Sequence, residues 1–155
     1  MYIPMKSLKL IILIFLISFG CTSLPKEVGK SATITFFGSN ASISAEVADT
    51  SFSRQLGLMY RDSLGNDSGM LFIFNEKKPL SFWMANTRVP LDIIFLDENK
   101  TIVDIQKMPL CKLQSQSDCP SYISGKPAIY AIEVNQNYTD LHKIKIGSKA
   151  SWQIN

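Results

Sequence analysis

The sequence predicts a mainly β fold, a small β-sandwich or partly open barrel with one or two short helices. Three observations predict it. Short apolar runs recur between Ala32 and Ile154, bounded by Gly, Pro, Asn and Asp, and several alternate or carry β-branched residues. Two of these runs, Ser81–Met84 and Leu91–Leu96, are bulky enough on both faces to be covered on both sides. Only two stretches read as helical, Phe52–Met59 and Asn137–His142. A chain of 155 residues then holds one such domain, expected over residues 31–155.

The first thirty residues have a different character. Lys6 and Lys9 precede the apolar run Leu10–Phe19, which is interrupted only by Ser18 and ends at Gly20-Cys21. A positive flank and about ten apolar residues are the pattern of a secretion signal, here residues 1–20, and too short for an ordinary membrane span. Gly immediately before Cys matches a bacterial lipoprotein cleavage site, which makes Cys21 the expected site of lipidation. Phe19 is bulkier than that pattern favours, and the rival is plain cleavage leaving a free Cys21. Residues 21–30, with Pro25 and Gly29, read as a tether. The expected location is therefore extracytoplasmic, anchored to the membrane of a bacterial envelope. Without Lys6 and Lys9 the formal charge falls from +3 to +1. No basic stripe remains, so no nucleic-acid partner is expected.

Within the domain, Ala32–Phe37 and Ser42–Val47 alternate as strands around the turn Gly38-Ser39-Asn40. Asp49, Thr50 or Ser51 can cap a helix over Phe52–Met59, with Phe52, Gln55, Leu56 and Met59 on its more apolar face. A polar loop, Tyr60–Ser68, leads to a strand at Met70–Phe74. The two bulky runs follow, joined by an elbow in which Asn86 and Thr87 can bond nearby backbone. In the second run Leu91, Ile93 and Phe95 share one face and Asp92, Ile94 and Leu96 the other. Thr101–Gln106, Ala128–Val134 and Ala150–Ile154 complete the strands. Trp83, inside a bulky run, is expected in the core. Cys111 and Cys119 sit close together in an exported chain, where a disulfide is the default.

Few groups suggest chemistry. Two thiolates without a nearby His fall short of a zinc shell. The methionines Met59, Met70 and Met84 already belong to apolar faces, which speaks against a thioether copper site. No metal and no cofactor is expected. His142 lacks a partner motif and reads as a surface residue. The polar set Asp49, Thr50, Arg54, Arg61, Asn86, Thr87 and Asp92 is more informative. One reading is structural, with a capped helix, a tied elbow and Arg54 paired to a carboxylate. The other is a cleft where Arg54 or Arg61 binds an anionic or polyhydroxy ligand that Asn86, Thr87 and Asp92 orient. Arg54 and Asp92 are expected to reach that one cleft.

Four ordered motifs carry a family resemblance. They are Val47-Ala48-Asp49-Thr50 with Arg54-x-x-Gly57-Leu58-Met59-x-Arg61; Gly69-Met70-Leu71-Phe72-x-Phe74; Phe82-Trp83-Met84-x-Asn86-Thr87-x-x-Pro90-Leu91-Asp92-Ile93-Ile94-Phe95; and Pro120-x-Tyr122-x-Ser124 followed by Pro127-Ala128 and Glu133-Val134-Asn135. From about Thr33 onward the chain resembles the domain of unknown function 192 family. The resemblance implies a small, mainly β extracytoplasmic domain and supplies no established activity. The expected function is a lipid-anchored binding or accessory module, with an envelope glycan or a protein as partner. The alternative is a hydrolase-like enzyme using Asp92 with Asp49 or Glu133 as a second carboxylate.

Overall fold

The computed structural model describes residues 29–113 and 115–155. The expected signal, Cys21 and most of the tether lie outside the described residues. The elements run in the order β1 (Ser31–Phe36), β2 (Ser42–Ala48), α1 (Ser51–Leu56), β3 (Ser68–Lys78), β4 (Ser81–Trp83), β5 (Leu91–Leu96), β6 (Ile102–Met108), β7 (Ser121–Ile123), β8 (Ala128–Asn135), α2 (Tyr138–Leu141) and β9 (Ala150–Ile154). The fold is mainly β. Seven strands form one mixed sheet in the order β6-β5-β8-β3-β2-β1-β9, and β4 pairs with β7 in a separate ribbon. Within the large sheet only β2 and β3 run parallel, joined by a crossover that carries α1. Thr101 bridges Lys149 between the two ends of the strand order, and the sheet does not close into a barrel.

Each face of the sheet has its own core. Ile34, Phe36, Ile43, Leu71, Ile94, Leu96, Ile132 and Val134 pack together on one face with Tyr138 and Ile144. Phe72, Leu91, Ile93, Phe95 and Ala131 pack on the other with Leu58, Phe82 and Met84. All six residues of β5 are buried, as its doubly apolar pattern requires. The edge-on rings of Phe72, Phe82 and Phe95 fill the second core, with centroids 4.9 Å and 5.8 Å apart.

Several expectations change. The run at Ser81 is not a strand of the main sheet. As β4 in a two-stranded ribbon it turns Phe82 inward and Ser81 and Trp83 outward. Trp83 is 45% exposed and does not belong to the core. The strand expected at Met70–Phe74 extends to Lys78, and the short β7 at Ser121–Ile123 emerges as the partner of β4. Helix α1 stops at Leu56 because Gly57 turns out of helical geometry at φ 49°, ψ −136°, a region open mainly to glycine. Its apolar face points outward, since no residue of α1 is buried and Leu58, beyond the helix, enters the core instead.

Cys111 and Cys119 are joined as a disulfide, with Cα atoms 5.7 Å apart.

Candidate functional site

The site lies where the crossover helix meets β8 and the β4–β5 elbow. Thr50 starts α1 through a reciprocal cap: its hydroxyl accepts from Ser53 N, and Ser53 Oγ accepts from Thr50 N. The helix ends after six residues, and Gly57 and Leu58 lead the chain down onto the second core. The elbow is fixed from the same side. Asn86 adopts a left-handed conformation at φ 56°, and its carbonyl accepts from Tyr60 N. Thr87 Oγ1 donates to Ala85 O. The elbow residues are thereby tied to the segment that follows α1.

Between these pieces lies Glu133. In β8 it stands opposite Met70 of β3 and Ile93 of β5, so it faces the second core. It is 5% exposed, and its Oε2 has no hydrogen-bond partner among the described residues. A Cβ placed on Gly57 would lie 4.0 Å from that oxygen and 3.5 Å from the ring of Phe72, which puts the end of α1 directly over the carboxyl. Burial raises its pKa to about 8; the charge of Arg61 lowers it only in part. At pH 7 the neutral acid is then the favoured form of Glu133, with a proton to donate. A cavity of about 30 Å³ adjoins it, lined also by Arg54, Gly57, Met59, Trp83 and Thr87. That volume holds one small polar group or a water. A shallower depression of about 290 Å³ shares Gln55, Leu56, Met59 and Trp83 with it and adds Phe52, Tyr60 and Asn86. A small polar cavity thus adjoins an aromatic shelf.

The other expected site residues separate into groups. Arg54 lines the cavity, but its Nη1 donates to Asp49 O at 2.7 Å and Ile73 O at 2.8 Å, and its guanidinium lies 5.1 Å from the centre of the Phe74 ring. Arg61 forks onto Glu46, with Nη2 2.7 Å from Oε2, and the Glu46 carboxylate holds its pKa above the ordinary value. Asp49 pairs with Lys30, whose ammonium lowers the carboxyl pKa. Asp92 stands opposite Val134, on the sheet face away from Glu133. Its carboxylate is fully buried and accepts from Asn137 N, Thr139 N and Thr139 Oγ1 at 3.1, 3.0 and 2.6 Å. It closes the start of α2, whose own cap residue Asn137 makes no side-chain bond there.

Arg54 and Asp92 consequently share no cleft. Asp92 also does not converge with Glu133 or Asp49 as a hydrolytic carboxylate pair would. The structure brings together Arg54, Asn86 and Thr87 with Trp83 and Glu133, and leaves Asp92 outside. Glu133 carried a legible signal, a single acid in the otherwise apolar run Ala128–Val134. His142 lies against the ring of Tyr138, 4.2 Å between centroids, and lines neither pocket of this site. Among the described residues no three His, Cys, Asp or Glu side chains gather to hold a metal.

The geometry defines a small two-faced β domain with a buried acid beside an aromatic shelf, and comparison with known proteins places it. The model of the domain of unknown function 192 family, described as an uncharacterised group, matches residues 32–152. The chain belongs to that family. It is 27% identical over 112 residues to a UPF0127 protein of Pyrococcus abyssi, covering 69% of this chain and 84% of the relative. Similar solved structures include two of like size. One, of unknown function, comes from Novosphingobium aromaticivorans, with a TM-score of 0.72 and 29% identity over 83% of this chain and 90% of the other. The second, proposed to be a transcription regulator, comes from Sinorhizobium meliloti 1021, with a TM-score of 0.69 and 27% identity over 80% and 94% of the two chains.

Proposed function

We propose that the protein is a lipid-anchored, extracytoplasmic binding module of the cell envelope that takes a neutral, polyhydroxy ligand of the glycan type. The observation that carries the reading is Glu133, a buried carboxyl with an unpaired oxygen beside a cavity of one group's size. A neutral acid there donates a hydrogen bond to a hydroxyl or carbonyl oxygen. Trp83 and Tyr60 offer flat apolar faces for a sugar ring, and Asn86, Gln55 and Thr87 supply polar groups around it. The arginines favour a neutral ligand over an anionic one, because Arg54 is turned into backbone carbonyls and Arg61 into Glu46. The anchor is supported by Lys6, Lys9, the Leu10–Phe19 run and Gly20-Cys21, and the oxidised Cys111–Cys119 pair suits an exported chain.

The test is titration calorimetry with N-acetylglucosamine oligomers, as neutral models of envelope glycan strands. Binding by the wild type that falls at least tenfold in Trp83→Ala and in Glu133→Ala is the expected result. Absence of binding, or binding indifferent to both substitutions, would refute the glycan site.

A further inference from the structure

The outward face of α1 rims the shelf of the ligand site and takes no part in the core. Phe52 is 75% exposed and Leu56 41% exposed, one helical turn apart on a helix that buries nothing. Together they form a short apolar ridge. On one side of it lies the shelf with Trp83 and Tyr60. On the other lies a groove of about 570 Å³ lined by Val47, Ala48, Met70 and the ridge, and also by Gly29 and Lys30. The point where the described domain receives its N-terminal segment is thus beside the ridge, and Lys30 is held there by Asp49 of the α1 approach.

We propose that the Phe52–Leu56 ridge docks into the interfacial layer of the lipid bilayer and holds the mouth of the ligand site at the membrane surface. The proposal rests on the lipid-anchor reading of Cys21. Nine residues separate that cysteine from Lys30, inclusive of the lysine, and a chain of that length reaches about 30 Å at most. The ridge is therefore confined near the bilayer whenever Cys21 carries a lipid. Exposed Phe and Leu, with Trp and Tyr beside them, are the side chains that partition into the headgroup–acyl boundary. A short anchor and a weak apolar contact reinforce each other, since the anchor supplies the high local concentration that the contact needs.

The experiment separates the ridge from the anchor. Cys21 is the free thiol left by the Cys111–Cys119 bond, so the mature chain can be joined through it to a maleimide lipid in phosphatidylethanolamine/phosphatidylglycerol vesicles. A Phe52→Trp variant adds an indole at the tip of the ridge without touching the core. With brominated acyl chains in the vesicles, at least half of the added emission should be quenched, and Leu56→Ser should reduce that quenching. Added emission that stays unquenched overturns the proposal, as does a dimer in solution that Phe52→Ser dissolves. Whether the cell acylates Cys21 is read independently by labelling with a fatty-acid analogue, so failure of the anchor and failure of the ridge give different results.

Discussion

Glu133 and Asp92 are both acids in buried strands, yet their surroundings give them opposite roles. Asp92 receives three hydrogen bonds, two of them from backbone at the start of α2, so both of its oxygens are satisfied by the fold. Glu133 has an unpaired oxygen and keeps its proton. That difference has a measurable consequence. In the unfolded chain the Glu133 carboxyl loses its proton near 4.5, and in the folded chain near 8. Between those values the folded state binds the extra proton, so stability falls as pH rises through that window, by at most about 1.4 kcal/mol per pH unit from this group. Glu133→Gln cannot ionise and should flatten the decline, a difference that urea melts at pH 5, 7 and 9 will register as a variant relatively more stable at the highest pH. Trp83→Ala is expected to cost less than about 1 kcal/mol, because the ring is half exposed rather than packed in the core.

At the scale of the elements, separation of Arg54 from Asp92 predicts additivity. Arg54→Met removes bonds that brace α1 against β3, and Asp92→Ala removes those that close α2. Each should cost on the order of 2–3 kcal/mol, and a double-mutant cycle should show coupling below about 0.5 kcal/mol. Strong coupling would mean that the two groups meet after all. Gly69 shows how closely β3 and β8 approach: a Cβ there would lie 2.4 Å from the carbonyl oxygen of Glu133. Gly69→Ala should therefore destabilise the domain by roughly 1–3 kcal/mol in thermal or urea unfolding. These elements also show what a sequence can convey. The doubly buried β5 was legible in Leu91–Leu96 because both of its faces are apolar. The outward turn of Trp83 was not, because a bulky run does not state which sheet it joins or whether its far face is covered. Nor did the amphipathic pattern of α1 reveal that its apolar side faces solvent. Pattern locates a stripe, and only the tertiary fold decides what lies opposite it. Asp92 was legible as a group requiring partners, but those partners come from Asn137 and Thr139, 45 and 47 residues away.

At the scale of the whole molecule, a two-cored β domain is braced by a disulfide, and the proposed site lies at the edge of the second core. Closing the Cys111–Cys119 loop should contribute about 2–3 kcal/mol on the chain-entropy model, so melts under reducing conditions should shift down correspondingly. The expected anchor is tested by Cys21→Ala, which should abolish lipid labelling and move the protein out of the membrane fraction. The neutral acid at the proposed ligand site is open to one direct measurement. The side-chain carboxyl ¹³C resonance of Glu133 can be followed by NMR across pH, in the free protein and with N-acetylglucosamine oligomers at saturation. A midpoint near 8 is expected in the free protein, and a higher one with ligand, since a hydrogen bond from the protonated acid favours that form. A midpoint in the ordinary carboxylate range, unmoved by the oligomers, would contradict it.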